Sequence, residues 1–207
     1  MARPKSAEHD DKRRAILRRS AKLFAQNGYD RTSMAEVAEA SGVSKALLYH
    51  YLVGKESLLF DILHAHLQEL MDAVRAVDTK LVPRARLRAL IGAMLGAYRD
   101  ADDEHKIQIN ELHKLPLARR KELIVVERAL VAIFAGAVAA AIPSIAGNSV
   151  LLKTVTMSLF GMLNWHYMWF RENGPVSRED YAEMVTILLI EGAQALGETR
   201  NVRKHSA

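Results

Sequence analysis

No cysteine occurs in the 207 residues, which removes disulfide bridges and thiolate metal sites and fits a reducing compartment, the cytoplasm. The N-terminus has no apolar run behind Lys5, Lys12, Arg13 and Arg14, so it does not read as a secretory signal. Glycine-rich phosphate loops, GxSxG and HExxH patterns are all missing, and no catalytic constellation takes their place. The chain therefore reads as a non-enzyme with no cofactor and no metal. His105 and His113 stand eight residues apart, outside the spacing of a helical metal pair, and Asp61 with His64 has no third ligand nearby. Charge is absent from residues 129 to 152, as in a membrane span. Pro143, Ser144, Gly147, Asn148 and Ser149 interrupt that run, and its unbroken part, 129 to 142, falls short of the roughly 20 residues a bilayer requires. Buried helices and no membrane are the expectation.

Half of the residues are hydrophobic, enough for a sizeable core. The net charge of +5 is unevenly placed: residues 1 to 55 hold eleven Lys or Arg against six Asp or Glu, and residues 56 to 207 hold eighteen of each. A charge run is ordinarily a solvated face. Confinement of the excess to one short segment favours a phosphate partner if that segment also has groove-reading geometry.

Residues 32 to 58 supply that geometry. Ser33 with Glu36 three residues on is a capping box, so a short helix starts near Met34. Met34, Val37 and Ala38 fall on one face, and Gly42 follows the helix end. Ser44 is placed to cap a second helix over 45–52, whose Leu48 and Leu52 can pack on Val37, Ala38 and Val43. The opposite face carries Lys45, Ala46, Tyr49 and His50, a mixture suited to a DNA groove and its phosphate walls. Two short helices about a Gly turn define the helix-turn-helix, although ordinary helical hairpins share the spacing.

Ser33-Met34, Val37-Ala38, Ser41-Gly42-Val43-Ser44, Leu48-Tyr49-His50-Tyr51 and Lys55-Glu56-Ser57-Leu58, in this order, resemble the signature of the TetR family of transcriptional regulators from about residue 12 to residue 63. The resemblance implies that Ser33 and Lys55 bind phosphates, that Lys45 reaches base edges and that Tyr49 and His50 flank the backbone. Leu47 stands where members often carry a small or hydroxylated residue, which points it at a thymine methyl. Leu52 stands where Phe is frequent.

The expected fold is all-α: a three-helix DNA-binding domain over 1–54, then a larger ligand-binding and dimerisation domain over 55–207. The first helix runs from about 9 to 27, with Ile16, Ser20, Leu23 and Phe24 on one face. Residues 1 to 8 form a loose arm whose Arg3 and Lys5 either touch DNA or are solvated. A connector spans 55–78 without Gly or Pro, and Pro83, Pro116, Pro143 and Pro175 divide the rest into helices near 84–100, 103–113, 118–141, 148–172 and 177–197. Tyr181, Val185, Leu188, Gly192 and Leu196 make a stripe on the last helix, with Ala193 and Ala195 permitting close approach. Family resemblance implies that the last two helices form a four-helix bundle across a two-fold axis, so that two heads read a palindromic operator.

Both tryptophans lie in the segment from Phe160 to Arg171. Trp165 and Trp169 are four apart, and Asn164, His166, Met168 and Arg171 add polar and soft groups, the makings either of core and dimer packing or of an apolar ligand site. This run, with Gly174 and Pro175 behind it, resembles family members that sense acyl- or aryl-CoA thioesters. That implies an acyl tunnel between the middle helices, with Trp169 and Arg171 near the CoA head group, since Arg pairs with phosphate and stacks on adenine. Arg119, Arg120 and Lys121 either serve the same phosphates or cover a helix start. The implied function is a dimeric repressor released from its operator by a CoA thioester, with hydrophobic drugs or free acids as the other effector class.

Overall fold

The computed structural model describes residues 5–205, and side chains over 11–197. Eleven α-helices follow one another among the described residues, with no strand: α1 (Lys5–Asn27), α2 (Met34–Ser41), α3 (Lys45–Tyr51), α4 (Lys55–Arg75), α5 (Pro83–Ala97), α6 (Asp102–Glu111), α7 (Leu117–Ala141), α8 (Pro143–Ala146), α9 (Ser149–Asn164), α10 (His166–Trp169) and α11 (Arg178–His205). A 3₁₀ turn, Leu112–Lys114, trails α6. Pro83 and Pro143 each sit in the first helical turn, where the missing N–H costs nothing.

Three boundaries differ most from expectation; the last helix, read over 177–197, continues to His205 as α11. Residues 5–8, expected in a loose arm, belong to α1; Arg3 and the side chain of Lys5 lie outside the described residues. The helix expected over 148–172 ends at Asn164 and resumes for one turn as α10. There the ring of His166 turns into the core and stacks on Phe170 at 4.2 Å, while Phe170 itself is extended.

The chain forms two compact units. One comprises residues up to 68 together with 100–125, the other 69–99 and 126 onward. In the first, Ile16, Leu17, Phe24, Val37, Leu48 and Leu58 are buried together with α4 residues Leu59, Ile62 and Leu63. The core of the second draws on Leu87, Leu90 and Ile91 of α5, Phe134 and Val138 of α7, Leu159 and Leu163 of α9, and Val185 and Ile190 of α11.

By length and composition α7 is the one helix among the described residues that is apolar enough to cross a membrane. Expected as a buried helix, it buries one stripe, Leu123, Leu130, Phe134, Ala137 and Val138, and leaves Val125, Ala132, Gly136 and Ala140 exposed. Ala and Gly contribute so little apolar area that leaving most of this face wet costs little. On α9 the two flanks separate as its composition predicts: Val155, Thr156, Leu159, Phe160 and Leu163 face the core, while Val150, Met157 and Gly161 do not.

His66 on α4 and His105 on α6 are both buried, with ring centroids 6.0 Å apart. Burial, then the neighbouring His105, lowers the His66 pKa from 6.5 to about 3. The native state thus withholds a proton that the unfolded chain takes up below 6.5. The resulting stability is full above that pH and is lost as pH falls through the window from 6.5 towards 3, at up to about 1.4 kcal/mol per pH unit. Chemical denaturation at about pH 7.5 and about pH 5.5 should show a loss on the order of 1 kcal/mol that a His66→Leu variant lacks.

Candidate nucleic-acid interface and effector region

Helix α2 is closed at both ends by its own sequence. The Ser33 hydroxyl accepts from the Glu36 N–H at 3.2 Å, and Glu36 Oε2 accepts from the Ser33 N–H at 2.7 Å. That backbone hydrogen bond holds the Glu36 carboxyl below its ordinary range. At the other end Gly42 takes φ +65°, open to glycine without strain, and the Val43 N–H returns to the Ala38 carbonyl at 3.0 Å. Arg19 of α1 then donates to the Ser41 carbonyl at 2.7 Å, a contact that helical periodicity does not announce.

Seven residues make α3, with Ser44 at its cap accepting from the Leu47 N–H at 3.1 Å. Leu48 and Leu52 are 0% and 2% exposed. Lys45, Ala46, Leu47, Tyr49 and His50 are all exposed, Leu47 at 38% and Tyr49 at 52%. The burial of Leu48 therefore fixes the rotation of the helix, and every residue predicted to read DNA from α3 lies on the open side. Lys55 begins α4 and is half-buried. Its ammonium donates to the Asp30 carbonyl at 3.1 Å and lies 4.4 Å from the Tyr29 ring centroid, leaving donors over for a further acceptor.

In the second unit the predicted effector residues divide by depth. The Tyr98 hydroxyl is buried and donates to Asn164 Oδ1 at 2.9 Å, and burial pushes its pKa up. His166 is buried among aromatic rings, with Tyr181 at 5.3 Å and Trp169 at 5.6 Å. Tyr181 donates to the Met162 carbonyl at 3.1 Å. Trp165, Met168 and Trp169 are by contrast 61%, 56% and 45% exposed, and Arg171 is exposed too.

Sequence reasoning missed the second cation of this region, Arg178. Its guanidinium holds Glu172 Oε2 at 3.0 and 2.8 Å, donates to the Leu95 carbonyl at 3.0 Å and covers the Phe170 ring at 4.6 Å. Glu172 also meets Arg99 at 3.3 Å, and the Arg178 hydrogen bond, before other causes, holds its carboxyl below the ordinary range. Arg178 is thus engaged within the protein, and Arg171 is the one presented outward. The stripe expected on α11 is also divided: Tyr181 and Val185 belong to the core, whereas Leu188, Gly192 and Leu196 are exposed beside Met184 and Ile187. On a helix of 3.6 residues per turn these five positions stay on one side, and it is the buried stripe that leaves them: beyond Thr186 it follows Leu189, Ile190 and Ala193.

Residues 16–62 match the family described as bacterial regulatory proteins, tetR family, and residues 80–193 match the tetracyclin repressor-like C-terminal domain. A TetR-family transcriptional regulator from Bordetella parapertussis 12822 is 35% identical and superposes with a TM-score of 0.80, over 86% of this chain and 93% of that one. The structure of AibR in complex with isovaleryl coenzyme A and operator DNA is 28% identical, with a TM-score of 0.69 over 86% of this chain and 98% of that one. The HTH-type transcriptional activator FasR of Mycolicibacterium smegmatis is 35% identical over 85 residues, 41% of this chain and 39% of that protein. The match to this curated relative thus spans about two-fifths of its length. With an N-terminal and a C-terminal family domain matched in order along one chain, the protein belongs to the tetR family of bacterial regulatory proteins.

Proposed function

We propose that the protein is a cytoplasmic transcriptional repressor that binds a palindromic operator as a homodimer and is released from it by a CoA thioester. The observation that carries the DNA reading is the outward face of α3, where Lys45, Ala46, Leu47, Tyr49 and His50 stand exposed on a helix whose rotation is fixed by buried Leu48. Residues 1–54 act as the reading head and 55–207 as the effector and dimer domain. Ser33, Ser44 and Lys55 meet phosphates, Lys45 and Leu47 meet base edges, and Tyr49 and His50 line the backbone. The exposed apolar residues of α9 and α11, Val150, Met157, Met184, Leu188 and Leu196 among them, supply a face for a second copy.

The CoA reading draws support from AibR, whose structure holds isovaleryl coenzyme A, and from the exposed Trp165, Met168, Trp169 and Arg171, with Asn164 and His166 as polar groups beneath. Arg171 pairs with phosphate, and an indole face accepts adenine. The coupling runs through α4, which has no Gly or Pro to absorb a distortion and contributes residues to both compact units. Half-sites one turn apart demand recognition helices roughly 34–36 Å apart, so a ligand that prefers another spacing releases DNA. A coupling of about 1–3 kcal/mol corresponds to about 5–150-fold weaker operator binding.

Fluorescence anisotropy on palindromic duplexes tests the head: Lys45→Ala and Tyr49→Ala should each cost about 1–3 kcal/mol in affinity, and an unchanged double variant sinks the assignment. For the effector, Trp169→Ala and Arg171→Ala should keep operator binding and dimer mass while losing release by short-chain, long-chain or aryl-CoA esters. Release by a hydrophobic drug or free acid, with every CoA ester inert, replaces the CoA reading.

A further inference from the structure

The loop that delivers α2 to its capping serine is closed by its own hydrogen bonds. Gly28 takes φ +85°, its N–H returns to the Phe24 carbonyl at 2.9 Å, and Thr32, 1% exposed, bonds the Gly28 carbonyl through its hydroxyl at 3.0 Å. Arg31 Nε donates to the Asn27 carbonyl at 2.7 Å. Residues 28–32 are therefore braced by their own hydrogen bonds, and Ser33, the first residue of the capping box, comes next in the chain.

That loop and the end of α1 before it are held from outside by lysines contributed by α6, its trailing turn and α4. Lys106 of α6 donates to the Ala25 carbonyl at 2.8 Å, a cation on one of the open carbonyls at the end of α1. Lys114, in the turn after α6, is hydrogen-bonded to the carboxylate of Asp30, and Lys55 holds the carbonyl of the same residue. The Lys114 hydrogen bond lowers the Asp30 pKa, and the Asp30 hydrogen bond raises that of Lys114. An open recess of about 300 Å³ lies beside Lys106, between the end of α1 and α6, while Phe24, Ala25, His105 and Ile107 are buried beside it.

We infer that Lys114 and Lys106 are positioning residues for DNA binding: Lys114 ties the 28–32 loop to the turn after α6, Lys106 ties the end of α1 that precedes this loop to α6, and together they set where the capped start of α2 meets the operator backbone. Asp30 is the receiving group, three residues before Ser33. The Lys114–Asp30 pair is exposed, so it is weak and screened by salt, which makes it a contact that a displacement of the α6 end breaks or remakes at small cost. This inference rests on the DNA-binding reading above.

The test is a charge-swap cycle in the full chain, read as operator affinity by anisotropy well below each variant's melting temperature. Asp30→Lys and Lys114→Asp should each weaken binding about two- to fivefold, and the double swap should restore it to within about twofold. Raising the salt should shrink this coupling as the ion pair is screened. Lys106→Met should weaken binding without being rescued by the swap. Singles that lower the melting temperature but leave the affinity of the folded protein unchanged overturn the inference, as does a double swap equal to the product of its singles. A wild-type chain that binds no duplex overturns the DNA reading and this inference with it, whereas wild-type binding that ignores all four variants overturns the inference alone.

Discussion

The reading head depends on the burial of Leu48. A helix of seven residues cannot hold itself together in water, because nucleation fixes several dihedrals before propagation repays them. Ser44 offsets part of that by accepting from the Leu47 N–H, and the larger share comes from two leucines taken fully out of water, each worth about 1.5–3 kcal/mol. Because both lie on one side, the same burial that stabilises α3 also chooses which five side chains face outward. Stability and orientation are one interaction here, and a change of register in α3 would lose both.

The aromatic region of the second unit obeys another constraint: polar atoms taken into an apolar surround need partners there. Tyr98 finds Asn164, Tyr181 finds the Met162 carbonyl, and Arg178 spreads its donors over Glu172 and the Leu95 carbonyl. These pairs tie α5, the end of α9 and the start of α11 into one node around His166. Trp165 and Met168 stand outside that node.

What the sequence made legible was local. Ser33, Glu36, Gly42 and Ser44 act on residues three or four away, and their roles follow from spacing alone; Pro83 and Pro143 likewise mark helix starts. The division between buried and exposed on α3 was legible because Leu48 and Leu52 recur at four. Periodicity predicts one helix over 148–172, straight through Trp165, because it does not register the aromatic packing that turns His166 inward. Tyr181 and Val185 were grouped with Leu188 because a stripe has no marker for the point where it leaves the core. Pairs such as Lys114 with Asp30 and Arg178 with Leu95, 84 and 83 residues apart, leave no periodic trace in a single sequence.

Those long-range polar pairs are also where a regulator has room to respond. Capping boxes and buried leucines are too costly to rearrange for a coupling of about 1–3 kcal/mol, so an effector of that strength leaves α2 and α3 internally intact and acts on how they are held. The polar contacts around α2 and the loop before it are Lys55 on Asp30, Arg19 on Ser41, and Lys106 and Lys114 of α6 and its trailing turn. The same division of labour explains the charge distribution. Six of the eleven Lys and Arg in residues 1–55 fall between Lys12 and Lys22 of α1, whereas α3 contributes only Lys45. On the proposed DNA reading, general attraction to a polyanion is thereby separated from base reading, so that the first varies with salt while the second is set by the geometry of α3.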